Sequence, residues 1–261
     1  MTLNMNMSMQ QDYRLAARRG QLEPFFQPIV DLKDGRFKAL EARARWHVGT
    51  ETLSAREVLA RASTEAERLE LDFLILEAAL AAISSAPKEL LDGLQLAINL
   101  SPATVLKTGF SERLENVLSN AGFAADRLHL EIPLEAFVRE RERASEVVAG
   151  LAATGFTMAV DHLNDPDTAG LIVAGCPVSV IKLDEALVRD LPEDHQACDT
   201  LAGIVDICRE RGVVVGAEGV SRMGQLHCLQ GVGCDEAQGL LICRPSPISG
   251  LRVLLERGRC W

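Results

Sequence analysis

Seven polar residues stand at or near the ends of seven separate strand candidates. They are Glu41 in FKALEARA, Asn99 in LQLAINL, Glu131 in LHLEI, Asp161 in FTMAVD, Lys182 in VSVIKLD, Glu218 in VVVGAEGV and Gln238 in CDEAQG. Gathered at one mouth, the carboxylates repel one another unless cations neutralise them. Hard divalent ions such as Mg2+ or Mn2+ take carboxylate and amide oxygens and keep positions free for water or phosphate. Two such ions can clamp the attacking and leaving oxygens of an in-line phosphoester displacement. The residue types therefore point to hydrolysis of a phosphodiester. Singly, each residue has a plainer explanation. Glu41, Glu131 and Asp161 read as ordinary polar strand ends, Lys182 with Glu218 as a structural ion pair, Asn99 as a turn into a helix and Gln238 as a turn residue. None of these explains why all seven end strands.

The elements that must position them alternate. PFFQPIV and FKALEARA, joined by DLKDG, read as a hairpin because Asp-Gly is a turn signal. Helix and strand then take turns. A helix is expected over 55–84, then LQLAINL, a helix over 111–120, LHLEI, a helix over 135–153, and FTMAVD with a short segment after it. VSVIKLD, a helix over 195–211, VVVGAEGV, another helix, CDEAQG and a last helix over 246–256 complete the series. Such units build a βα barrel or a doubly wound sheet. An open sheet gathers function at one switch point, whereas a barrel aims a residue from nearly every strand at one axis. The spread of the seven favours the barrel, and no glycine-rich phosphate loop follows the first strand.

The 261 residues are 48% hydrophobic and only 4% aromatic, which suits parallel strands covered by helices in one domain. Residues 1–11 read as a flexible tail and 12–261 as the barrel domain. The net charge of −10 excludes an extended electropositive surface for DNA or RNA. Seven scattered cysteines without a CxxC pair read as reduced thiols. The N-terminus lacks a basic start and an apolar core segment, and no apolar run approaches a membrane span, so a cytoplasmic protein without membrane contact is expected.

The motifs together resemble the EAL domain family of bacterial cyclic di-GMP phosphodiesterases. FFQPIVDL is similar to YQPIVDL, LEARARW to EALLRW, INLSP to NLS and LHLEIPLE to LELTES. AVDHLNDPDTAGL occupies the DDFGTGYSSL segment, IKLD matches KID, VVGAEGV matches AEGVE, and GCDEAQGLLICRPSP matches the family's ending. The likeness runs from about residue 12 to 258. It implies a TIM-like (β/α)8 barrel with an antiparallel first strand. It implies Glu41, Asn99, Glu131 and Asp161 as metal ligands, with Glu218 assisting at the metal centre and Lys182 holding the attacking water or a phosphate oxygen. Glu41, Lys182 and Glu218 form the implied catalytic set. Gln27, Arg45, Asn99, Lys182 and Gln238 are implied to face the dinucleotide.

Five of the departures from the pattern cluster on one side of the site. The family's two consecutive Asp residues become Asp161 and His162, so a second ion loses a hard oxygen ligand, although an imidazole suits Mn2+ or a softer ion. Asn164, Asp165, Pro166, Asp167 and Thr168 replace a Gly- and Ser-rich loop, where Pro removes backbone freedom and a donor. Pro133 and Leu134 replace Thr and a loop-tethering Glu, with Glu135 one residue further on. Ser221, Leu240 and Arg43 replace a Glu, an aromatic and the Leu of EAL itself. The expectation is a barrel with at least one Mg2+ or Mn2+ that binds cyclic di-GMP or a protein partner, with weak or absent hydrolysis. The alternatives are an active phosphodiesterase giving pGpG and a module that holds a protein without nucleotide. Pairing into a homodimer is a further expectation of the resemblance.

Overall fold

The computed structural model describes residues 13–261, and the expected tail lies outside them. Strands β1 (Leu22–Asp31) and β2 (Phe37–Val48) form the antiparallel hairpin, turned at Asp34-Gly35, where Gly35 takes a φ of 71°. Strand β3 (Glu51–Leu53) folds back on the far end of β2. Strands β4 (Gln95–Asn99), β5 (Leu128–Pro133), β6 (Thr157–Leu163), β7 (Val180–Leu183) and β8 (Val214–Ala217) follow in parallel register from β2. The two-residue β9 (Glu236–Ala237) lies parallel to β8 and antiparallel to β1, which closes the ring. This is the expected eight-stranded barrel with one reversed strand, and β3 is an addition outside it.

The helices follow the predicted alternation with three local differences. The stretch 55–84 is two helices, α2 (Ala55–Leu59) and α3 (Glu65–Ser84), after a short α1 (Tyr13–Arg18). Each begins with a capping box, Ser54 with Glu57 and Thr64 with Glu67, in which side chain and backbone satisfy each other's free donors. After α4 (Pro102–Val105) and α5 (Phe110–Ala121), the stretch 135–153 is α6 (Leu134–Arg139) and α7 (Arg141–Ala153), separated where Glu140 leaves helical geometry at φ −145°. The short segment after FTMAVD is the ten-residue α8 (Pro166–Gly175). Asp165 caps it by accepting from the Thr168 amide at 2.8 Å. Pro166 thus sits at the first helical position, where its missing N–H was unneeded, so it stiffens a helix start rather than disabling a loop. Helices α9 (Glu185–Arg189), α10 (His195–Glu210), α11 (Met223–Val232) and α12 (Ile248–Glu256) complete the outer layer.

Alternation along each strand sends one face outward to the helices and one into the barrel. Outward residues such as Leu96, Ile98, Leu130, Val160 and Ile181 are buried with Leu76, Leu80, Leu114, Val148 and Ile204 of the helices. Each such side chain contributes roughly 1.5–3 kcal/mol by leaving water. Inside, Ile29, Ala39 and Ala97 make a small apolar floor. Strand β2 pairs with β4 only as far as Ala42, so Arg43 to Val48 project past the rim as an arm. Tyr13, Leu22, Ala44, Trp46, Val58 and Leu71 pack that arm in a second cluster. Among the described residues no helix is long and apolar enough to cross a membrane, and all seven cysteines are free thiols.

Candidate active site

Above the apolar floor the inward positions turn polar. Register places Gln27 opposite Glu41, Asn99 beside Glu131 and Lys182 beside Gly216. Glu218 and Gln238 follow directly on β8 and β9. Glu41 departs from the strand-end expectation: it lies inside β2, because that strand runs on as the arm. It is still near the last point at which β2 belongs to the barrel. The seven therefore meet at the mouth that faces the C-terminal ends of the parallel strands, where barrels carry their chemistry.

Every oxygen of Glu41 is engaged. Its Oε1 accepts from Asn99 Nδ2 at 2.6 Å, and its Oε2 accepts from Gln238 Nε2 at 2.6 Å and from Arg43 Nη2 at 2.9 Å. Arg43 Nη2 also reaches Glu218 Oε2 at 3.3 Å. Lys182 Nζ donates to Glu131 Oε1 at 2.6 Å and touches Glu218 Oε1 as an ion pair without hydrogen-bond geometry. The result is a chain of alternating charge, Glu41 to Arg43 to Glu218 to Lys182 to Glu131. With all three carboxylates ionised, three negative groups against two cations leave one negative charge.

Burial and charge act against each other here. Burial would raise the Glu41 carboxyl, but Lys182 and Arg43 outweigh it and hold the group down at about 2. Glu131, 1% exposed, is pushed well above the usual carboxylate range by burial, with Lys182 opposing and Glu41, Glu218 and Asp161 reinforcing. Burial would lower the Lys182 ammonium, yet Glu131, Glu218, Glu41 and Asp161 hold it charged far above the ordinary range. Asp161 is raised by burial against the pull of Lys182.

A divalent cation fits this set in part. Oxygens of Glu41, Glu131 and Glu218 lie within 4.8 Å of one another. Among the described residues Glu131 Oε2 and Gln238 Oε1 are buried without a partner, and an orphaned buried oxygen is costly unless a cation or water meets it. Asn99 stands beside Glu41 with its nitrogen turned to it. Asp161 is buried at the rim and accepts from the backbone N–H of His162 at 2.7 Å, outside the three-carboxylate set. His162 sits in a bulge of β6 at a φ of 65°, and its side chain is 64% exposed. Its Nδ1 lies 3.1 Å from Asp161 Oδ2.

The remaining sequence candidates line the rim. Gln27 donates to the Cys243 carbonyl at 2.9 Å, which ties β1 to the loop after β9. Arg45 lies on the arm, on the same face as Glu41 and Arg43. Its guanidinium is 5.5 Å from the Phe25 ring and forms no ion pair among the described residues. Glu135 pairs with Arg139 at 2.6 Å along α6, so it does not tether the segment after Asp161. Leu240 is 56% exposed.

Three contributors escaped the sequence reading. The motif marks Arg43 only as a lost Leu, although strand alternation puts it on the same face as Glu41 two residues earlier. Buried Asp72 on α3 accepts from the Ser101 amide at 2.7 Å and the Thr104 hydroxyl at 2.6 Å, and so fixes the turn that follows Asn99. Buried Gln225 accepts from the Ser221 and Arg222 amides at 2.8 and 3.0 Å and donates to the Val188 carbonyl at 3.0 Å, pinning the segment that carries Glu218.

Beneath Lys182, His129, Glu236, Gly216 and Gln238 border a cavity of about 10 Å³. Burial and the Lys182 charge push His129 down to about 3, and burial pushes Glu236 up to about 7. Glu236 therefore binds a proton in the folded state that the unfolded chain has already lost between pH 4.5 and about 7. That contribution to stability is complete below 4.5 and is lost as pH rises through about 7. Urea unfolding of Glu236→Gln should lack this decline relative to the parent chain. An unchanged pH profile would show that Glu236 is solvated.

An eight-stranded barrel with one reversed strand and a buried carboxylate ring around a lysine at its mouth defines the class. The chain belongs to the EAL domain family, whose model matches residues 10–245. A cyclic di-GMP phosphodiesterase of Pseudomonas aeruginosa, NbdA, is 26% identical over 254 residues, 97% of this chain and 32% of that protein. An uncharacterised protein of Sinorhizobium fredii, y4lL, is 28% identical over 93% of this chain and 29% of its own length. The chain thus spans about a third of these curated relatives. The PaMucR phosphodiesterase in complex with c-di-GMP superposes with a TM-score of 0.84 at 25% identity, covering 94% of this chain and 99% of that one. The EAL enzyme Bd1971 with cAMP and cyclic-di-GMP bound shares the fold, with a TM-score of 0.87 at 18% identity over 98% of this chain and 70% of that one.

Proposed function

We propose that this barrel binds cyclic di-GMP at the carboxylate mouth and hydrolyses it weakly or not at all, serving as a receptor in second-messenger signalling. The observation that carries the reading is the pairing of a kept ring with an altered β6 rim. Glu41, Glu131 and Glu218 stand together around Lys182, while His162 occupies the place of a second Asp and projects into solvent. Glu41, Glu131 and Glu218, with Asn99 and Asp161 beside them, would hold Mg2+ or Mn2+. Such an ion supplies charge neutralisation for a phosphate and a more acidic bound water.

The chain's own groups do the rest. Lys182 offers a fixed ammonium, held by Glu131 and Glu218, toward a phosphate oxygen or a water. Gln238 and Asn99 hold the Glu41 carboxylate in one orientation, which avoids reorganisation when charge arrives. Arg45, which forms no ion pair among the described residues, can meet the dinucleotide from the rim. With His162 in place of a hard oxygen ligand, the β6 rim would hold a second ion poorly, and turnover should fall by orders of magnitude. Support for the ligand comes from the relatives named as cyclic di-GMP phosphodiesterases and the PaMucR complex.

Calorimetry with cyclic di-GMP in Ca2+ should give a binding heat, and its absence would leave only a role in holding a protein partner. In Mn2+, chromatography should detect little pGpG. Turnover of about 1 per second or more, an ordinary enzyme rate, would overturn the receptor reading in favour of an active phosphodiesterase. His162→Asp should raise any residual turnover at least about tenfold, a change of about 1.4 kcal/mol in the barrier.

A further inference from the structure

We infer that the Arg43 guanidinium is a resident cation of the acidic ring, competing with a divalent ion for Glu41 and Glu218. The inference rests on the reading of that ring as a cation site and does not depend on which nucleotide binds there. Arg43 Nη2 lies 2.9 Å from Glu41 Oε2 and 3.3 Å from Glu218 Oε2, so one nitrogen bridges two of the three carboxylates whose oxygens converge. Its Nε adds a contact to Glu41 Oε2 at 3.1 Å, giving a forked grip. A guanidinium is permanently charged and carries its donors in a rigid plane, so it can fill such a place without a proton to lose.

Charge balance decides what this does. With Lys182 alone, the three ring carboxylates in their ionised form would carry two surplus negative charges, a match for a divalent ion. Arg43 reduces the surplus to one and places a positive charge beside the ion's ligands. Loading the ring then requires Arg43 to leave. It is free to do so: its side chain is 31% exposed, whereas those of Glu41 and Lys182 are 1% and 4% exposed. It also stands on the arm where β2 has parted from β4. Glu131 Oε2 and Gln238 Oε1 remain buried without partners among the described residues, so the guanidinium does not complete the ring and the preference for a further cation persists.

Mn2+ titration by calorimetry and by the loss of free-ion paramagnetic resonance tests this on the full chain. Arg43→Leu should bind Mn2+ at least about tenfold more tightly than the parent. Its unfolding temperature should rise more with added Mn2+, and Glu41→Gln placed on top of Arg43→Leu should abolish the gain. Arg43→Gln, which keeps amide donors but no charge, should show the same tightening and covers the case in which the Leu variant does not fold. Equal Mn2+ affinity in parent and variants would overturn the competition while leaving the ring as a cation site. Failure of all of them to bind Mn2+ at millimolar concentration would overturn both, whatever heat cyclic di-GMP gives.

Discussion

Replacing Lys182 with Met should lower the unfolding free energy by about 3–5 kcal/mol, the range for removing one partner of a buried ion pair. Lys182 is the only cation within 4 Å of Glu131 among the described residues, and both side chains are almost wholly buried. Without it, Glu131 faces Glu41, Glu218 and Asp161 in a medium that screens them poorly. The sign of the pH effect follows. Glu131 already binds its proton above the ordinary carboxylate range, and the variant strengthens that tendency, so acidification relieves the buried charge. Urea unfolding should show a larger deficit at pH 8 than at pH 5. A deficit below about 1 kcal/mol at both would mean that Glu131 is solvated rather than enclosed.

Gly239→Ala should cost about 3 kcal/mol, at the upper end of overpacking effects. An added Cβ would run into the Val220 carbonyl oxygen and amide nitrogen, backbone atoms that cannot swing aside. The segments are bound there: Val220 donates to the Gln238 carbonyl at 3.0 Å, Gln238 to the Ala217 carbonyl at 2.8 Å and Leu241 to the Val220 carbonyl at 3.0 Å. Displacing Gln238 also removes the amide that orients Glu41, so Mn2+ affinity should fall with thermal stability. Val220→Ala trims a side chain and leaves the clashing carbonyl, so it should not rescue. Rescue would place the clash elsewhere.

The barrel was legible because position and chemistry coincide in it. Asn99, Glu131, Asp161 and Lys182 are inward polar residues closing apolar parallel strands, and a run such as LHLEI announces both strand and site. Helix breaks were less legible. No Gly or Pro interrupts 59–65 or 139–141, so a reading of the pattern joins what geometry separates. The Ser54 and Thr64 capping boxes and the Asp165-Pro166 start carry local signals that periodicity alone does not weigh. Interaction between distant elements was not legible at all. Nothing near Asp72 in the chain announces Ser101, and nothing near Gln225 announces Val188. Arg43 lies between these cases: its face follows from alternation, but its grip on Glu218, 175 residues away, belongs to the closed ring.

Strand β9 contributes two residues, and it meets β8 and β1 through two residue pairs each. A hoop is as strong as its narrowest stave. Amide protons along this joint should exchange with solvent sooner than those of β4 to β7, since few bonds must break together to open it. The Phe26–Ser246 bridge, with hydrogen bonds of 2.7 and 3.0 Å, straps β1 from outside the hoop and limits how far the joint can part. Gln238 hangs from this stave, so the grip on Glu41 loosens whenever the joint does, well before the helical jacket melts.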